Sequence, residues 1–156
     1  MTQWYRLSLM AMILLVVWGC GTSSSLQGQA GGNPTQPRFT KADNGVITDR
    51  VTGLDWYVGP NRDNNWHQAK AWTESLTMAG GGWRMPTIPE LKGLYQKGAS
   101  RVNMDPLFQA KAAWVWSGQM HDTRTAWGFA FYSGLVNSHG LNYGDGRMAF
   151  AVRSRR

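Results

Sequence analysis

The spacing of apolar residues predicts an α+β fold, with two helices packed on antiparallel strands. Three observations carry this reading. Val46-Ile47-Thr48 and Leu54-Asp55-Trp56-Tyr57 flank the turn residues 49–53, as in a β-hairpin. Two segments that start near Asn64 and at Thr87 open on capping residues and place apolar side chains at helical spacing. Beyond Trp114 the chain alternates large with small residues at period two, between turns that contain glycine. Seven of the nine tryptophans lie beyond Cys20, and each buried aromatic removes ~150–250 Å² from water. That load suits a compact, turn-rich domain better than a helical bundle.

The chain starts with a short basic stretch ending at Arg6 and an apolar run from Leu7 to Trp18, followed by Gly19-Cys20. The run is shorter than the roughly 20 residues that span a bilayer, and has the n- and h-regions of an export signal. Val17-Trp18-Gly19-Cys20 resembles a bacterial lipobox, although a small residue is usual where Trp18 stands. The expectation is a lipoprotein signal over residues 1–19, cleaved before a lipidated Cys20. Residues 20–37 are Gly-, Ser-, Thr-, Gln-, Asn- and Pro-rich, bury too little to offset their ordering entropy, and form a tether. The folded domain covers residues 38–156. Cys20 is the only cysteine, so no intrachain disulfide supports the domain.

Within it the hairpin turns at Gly53, a residue free to take positive φ. The first helix is capped by Asn64 or Asn65. Trp66, Ala69, Trp72, Thr73, Leu76 and Ala79 fall on one stripe, and glycines 80–82 end it. Trp83-Arg84-Met85 is extended because Met85 precedes Pro86. Thr87 and Glu90 form a capping box, and Pro89 falls in the first turn of the second helix. Ile88, Leu91, Leu94 and Tyr95 give that helix its buried face, and Gly98 closes it. Trp114 to Ser117 is a strand. A second strand from Thr125 sets Trp127, Phe129 and Phe131 against Ala126, Gly128 and Ala130, which predicts burial on both faces with something packed closely over the small side. Turns follow at Ser133-Gly134 and over residues 142–146. In the last strand Met148, Phe150 and Val152 form the buried face, opposite Arg147, Ala149 and Arg153.

The chain carries a net charge of +7, and loss of Arg6 with the signal leaves +6. No acid follows Asp145, whereas Arg147, Arg153, Arg155 and Arg156 do. These four arginines are the candidate ligand contacts. An exported basic surface favours anionic polysaccharide, anionic lipid headgroups or extracellular nucleic acid, with no specific nucleic-acid site expected, and it also keeps a protein in solution.

Few residues offer catalytic chemistry. His67, His121 and His139 lack metal-ligand spacing, and no G-x-S-x-G or phosphate-binding loop occurs. His121-Asp122 reads as a loop pair rather than a dyad. Residues 63–65 and 142–146 supply oxygens, but neither matches an EF-hand and both double as cap and turn signals. The expectation is no catalytic residue, no metal and no cofactor. Arg84 reads as a half-buried guanidinium that ties the second helix to sheet carbonyls or to Asp55. Trp56, Trp66, Trp72, Trp83, Trp114 and Trp116 read as core, with one of them open to stacking on a sugar.

Taken together, NGVITDRVTGLDW (44–56), W-x-x-A (66–69), GGGWRMPTIPEL (80–91) and AVRSRR (151–156) resemble the Lcl C-terminal domain family, named for a collagen-like bacterial surface adhesin. The resemblance runs from Arg38 to Arg153. Trp56, Trp83, Arg84, Pro86, Thr87 and Glu90 are its structural signature. It implies a C-type-lectin-like α+β fold with the chain ends close together, and an association with sulfated glycosaminoglycans. The chain lacks the collagen-like stalk. Thr73 and Ser154 stand where many relatives have cysteines that the resemblance implies are paired. The W-R-x-P-T-x-x-E-L segment is also similar to one in formylglycine-generating enzymes, whose chemistry needs a thiol that this domain lacks. The expected protein is a non-catalytic outer-membrane lipoprotein, periplasmic or surface-exposed. It would bind anionic polysaccharide or, alternatively, serve as a subunit that binds another envelope protein.

Overall fold

A computed structural model of the chain describes residues 36–111 and 114–155. The expected signal, Cys20, all but the last two residues of the tether, and Arg156 lie outside them. The described chain forms strands β1 (Phe39–Lys41), β2 (Ile47–Asp49) and β3 (Leu54–Val58), then helices α1 (Trp66–Glu74) and α2 (Ile88–Leu94). Strands β4 (Trp114–Met120), β5 (Thr125–Ala130), β6 (Leu135–Gly140), β7 (Arg147–Met148) and β8 (Phe150–Ser154) follow. Two four-stranded sheets result, in the orders β1-β2-β3-β8 and β6-β5-β4-β7. All pairings are antiparallel except β4 with β7. The fold is α+β, as expected.

The hairpin forms with Gly53 at φ 71°. Phe39, Asp49, Leu54 and Ser154 make one row across the first sheet. The domain therefore starts and ends at the same end of that sheet, three strand spacings or roughly 14 Å apart. The main core lies between the sheets and α2. Phe39, Ile47 and Trp56 meet Leu91, Leu94, Phe108, Val115, Phe129, Phe131 and Phe150 there. A second cluster under α1 joins Trp66, Ala69 and Met85 to Trp114, Trp116 and three alanines of β5 and the last strand.

Both helix starts carry full capping boxes. Asn65, not Asn64, caps α1 through the Gln68 amide, and the Gln68 side chain accepts from the Asn65 N–H. Thr87 and Glu90 do the same for α2. The predicted tight cover over the small face of β5 is an indole. A Cβ on Gly128 would lie 2.0 Å from the Trp114 ring.

The structure corrects five expectations. Helix α1 stops at Glu74, so Leu76 and Ala79 lie beyond it. Residues 78–80 form a separate 3-10 turn, the Met78 carbonyl accepts from both the Gly81 amide and the Trp83 indole, and Leu76 and Met78 pack around Trp83. Helix α2 stops at Leu94 rather than Gly98, because Gln96 and Gly98 donate to Asn103. Strands β1 and β6 have no counterpart in the sequence reading. The last strand divides at Ala149 between the two sheets, and Ala149 and Ala151 are as buried as Phe150, so neither face is open. Arg84 does not reach Asp55, a position taken by Arg153.

Candidate functional site

Two reciprocal indole bonds fix the start of α1 to β4. Trp66 Nε1 donates to the Ser117 carbonyl at 2.9 Å, and Trp116 Nε1 donates to the Asn64 carbonyl at 2.8 Å. Across from α1, residues 83–87 run as an extended strap. Arg84 exchanges backbone hydrogen bonds with Val152 at 3.0 and 2.9 Å, and the Pro86 carbonyl accepts from Gly118 at 2.9 Å. The helix, the strap and the end of β4 enclose a groove of about 390 Å³. Trp66, Trp83 and Met85 form its apolar floor. Lys70 and Glu74 of α1 stand on one wall, Arg84 and Thr87 on the other, and Gly118 and Gln119 at the end.

The walls carry charges that are already paired. Lys70 bridges Glu74 one helical turn on. Arg84 grips Glu90 with two bonds of 2.8 and 2.6 Å and also donates to the Met85 carbonyl. Glu90 accepts from the Thr87 N–H and hydroxyl as well. Burial alone would raise the Glu90 carboxyl, but the bonds from Arg84 and Thr87 outweigh it and hold the group below the usual carboxylate range. The Glu90 bond in turn raises the Arg84 guanidinium, against the effect of burial. Both groups stay ionised at neutral pH. The result is a groove lined by two indoles, each less than a tenth exposed, and by the charged side chains of Lys70, Glu74 and Arg84. It can hold a flat, polar-edged molecule against the aromatic surface.

The arginines expected as one cluster are placed differently. Arg147 is 6% exposed. Its guanidinium lies 4.3 Å from the Trp114 ring, 4.1 Å from Tyr143 and 5.5 Å from Trp116, and donates to the Asp145 carbonyl. Burial lowers its pKa, partly offset by Tyr143. Arg153 lies over Trp83 at 4.7 Å, donates to Asp55 at 3.1 Å, and also donates to the carbonyls of Ala79 and Gly81. The two therefore do not share an open strand face. Arg155 is exposed. Of the signature residues, Trp56 is fully buried with no hydrogen-bond partner for its indole nitrogen among the described residues. Trp83 spans both the core and the groove floor.

His121 and Asp122 sit in the exposed β4–β5 turn. Asp122 accepts from Arg124 and Thr125 amides at 2.7 and 2.8 Å, so it closes the turn. The two oxygen-bearing segments do meet, as Gly146 N–H donates to Asp63 at 3.0 Å. Among the described residues no three His, Cys, Asp or Glu side chains converge as metal ligands would. Thr73 is buried and donates to the Ala69 carbonyl, and Ser154 ends β8 beside Leu54. Sequence reasoning named Trp66, Trp83, Arg84 and Thr87 but missed Lys70, Glu74 and Gln119. Only the i,i+4 spacing of Lys70 and Glu74 marked them as a pair.

The model of the Lcl C-terminal domain matches residues 45–153. No curated protein matches the chain. The match covers most of the sequence, and the chain belongs to the Lcl C-terminal domain family.

Proposed function

We propose that this family member is a non-catalytic, lectin-like binding module on a cell-envelope lipoprotein, tethered to the outer membrane through lipidated Cys20. Its ligand is an anionic glycan held in the groove between α1 and the strap. The observation that carries this reading is a groove lined by two indoles, Trp66 and Trp83, and by Lys70 and Arg84, which an acidic ligand would reach in competition with their partners Glu74 and Glu90. Sugar rings offer apolar C–H faces to such a floor and hydroxyls to its rim, and the positive net charge left after loss of the signal favours acidic substituents. Arg155, which is exposed, adds to the cationic surface. Arg147 and Arg153 support the scaffold around it.

The test is a glycan array probed with the full-length chain, followed by Lys70→Glu on the acidic hits. Binding that falls with added salt and is lost in Lys70→Glu supports the reading. An array without hits, or hits indifferent to Lys70, counts against it. Incorporation of labelled palmitate, abolished in Cys20→Ser, tests the anchor separately. A second reading, a subunit that binds another envelope protein, is favoured by the open edge of the second sheet.

A further inference from the structure

Among the described residues each sheet edge is protected along its length except one. Strand β1 carries Lys41, whose ammonium donates to the Leu107 carbonyl and Gln109, and the turn at Pro106–Phe108 packs along it. Strand β8 is bridged by Arg84 at Val152. Strand β7 has two residues, and Asn64 donates to the Arg147 carbonyl. Strand β6 is six residues long, Leu-Val-Asn-Ser-His-Gly, without lysine, arginine, aspartate, glutamate or proline. Among the described residues no strand pairs with its outer side, and the Tyr143 amide bonds only to the Gly140 carbonyl at its end. Charge, proline and cover are the usual means of blunting an edge, and among the described residues β6 has none of them from Leu135 to His139.

The ladder shows which groups are open. The Leu141 amide donates to the Arg124 carbonyl at 3.0 Å, one step beyond the Thr125–Gly140 pair. Backbone bonding in an antiparallel ladder alternates. Leu135, Asn137 and His139 therefore bond toward β5, and Val136, Ser138 and Gly140 direct their amides and carbonyls outward, the Gly140 carbonyl already accepting from the Tyr143 amide at 2.9 Å. Three outward residues spaced evenly about Ser138 are self-complementary under a two-fold axis. Ser138 then faces Ser138 of a second copy, and Val136 faces Gly140. In the same register Leu135, 59% exposed, lies opposite Leu141. A chain this basic repels its own copies over most surfaces. A strand free of Lys, Arg, Asp and Glu is where that repulsion is least.

We infer that β6 is a homodimerisation edge. Two copies join antiparallel through it to make one continuous sheet, with the groove of each copy left to its ligand. This goes beyond the glycan reading and does not depend on it.

The test uses the full-length chain solubilised in detergent. Ser138→Cys should give a covalent dimer with a short thiol-reactive crosslinker, mapped by mass spectrometry to a 138–138 link, and Thr52→Cys in the β2–β3 turn should not. Ser138→Pro removes an outward amide and leaves pairing with β5 intact, so it should convert a sedimenting dimer to monomer. Asn137→Lys, which sets two like charges near the axis, should do the same if the proline variant misfolds. A wild-type monomer at high concentration, a dimer that survives Asn137→Lys without a 138–138 link, or a link from residue 138 to residues 1–35 of the same chain would each overturn the proposal.

Discussion

Two arginines six positions apart, Arg147 on β7 and Arg153 on β8, end in opposite environments. Arg153 meets a carboxylate, Asp55, in a corner closed by Trp83 and two carbonyls, and Thr48 holds the other oxygen of that carboxylate at 2.9 Å. Arg147 is also enclosed but, among the described residues, forms no ion pair with a carboxylate. Trp114, Trp116 and Tyr143 surround it, with His139 stacked on Tyr143. Charge in a sequence marks neither surface nor ligand site. One buried cation here depends on a partner 98 residues away, the other on π faces.

The largest effect should come from separating the carboxylate pair. Removing one member of a buried ion pair leaves the other uncompensated, which costs about 3–5 kcal/mol. Asp55→Ala should lower the denaturation midpoint accordingly, and the double variant with Arg153→Met should recover a good part of the loss. Next comes the floor of the aromatic cage. Gly128→Ala places a methyl against the Trp114 ring, and overpacking of this kind costs about 1–3 kcal/mol. It should also loosen Arg147, visible as a change in near-ultraviolet circular dichroism. Arg147→Met should cost least, within about 1 kcal/mol, because lost cation–π attraction is offset by relief of a buried charge. A loss as large as that of Asp55→Ala would erase the contrast between the two corners.

His139 reports the same contrast through pH. Burial, then the charge of Arg147, lowers its pKa. The folded state thus disfavours the protonated ring, so stability is full above the ordinary histidine pKa of about 6.5 and declines as pH falls through it. Asp49, buried and bonded to Arg38, Thr52 and the Val51 amide, is held below the usual carboxylate range despite its burial, and its contribution is lost only in more acid solution. In Arg147→Met the His139 pKa, followed by NMR, should rise. No change would mean that Arg147 does not act on it.

What the sequence revealed was local. The cap at Thr87 and the turn at Gly53 are set by residues within a few positions of one another, and so is the start of α1 near Asn65. The small face of β5 was also legible, since Gly128 between two alanines has room only for a close neighbour. Strand β6 escaped notice because Asn137, Ser138 and His139 interrupt any apolar alternation. The roles of Arg147 and Arg153 depend on Trp114 and Asp55, which only the folded chain brings near. The groove combines α1, the strap and β4, so no single stretch of sequence announces it. Its tryptophans looked like core because they are mostly buried.

The most direct measurement of the central claim is a titration of an acidic oligosaccharide from the array, followed through the indole N–H signals of the ¹⁵N-labelled chain. The proposed groove predicts saturable shifts at Trp66 and Trp83 with one common affinity, and none at Trp56 in the core. Shifts confined to the backbone near Arg155, with both groove indoles unmoved, would contradict it.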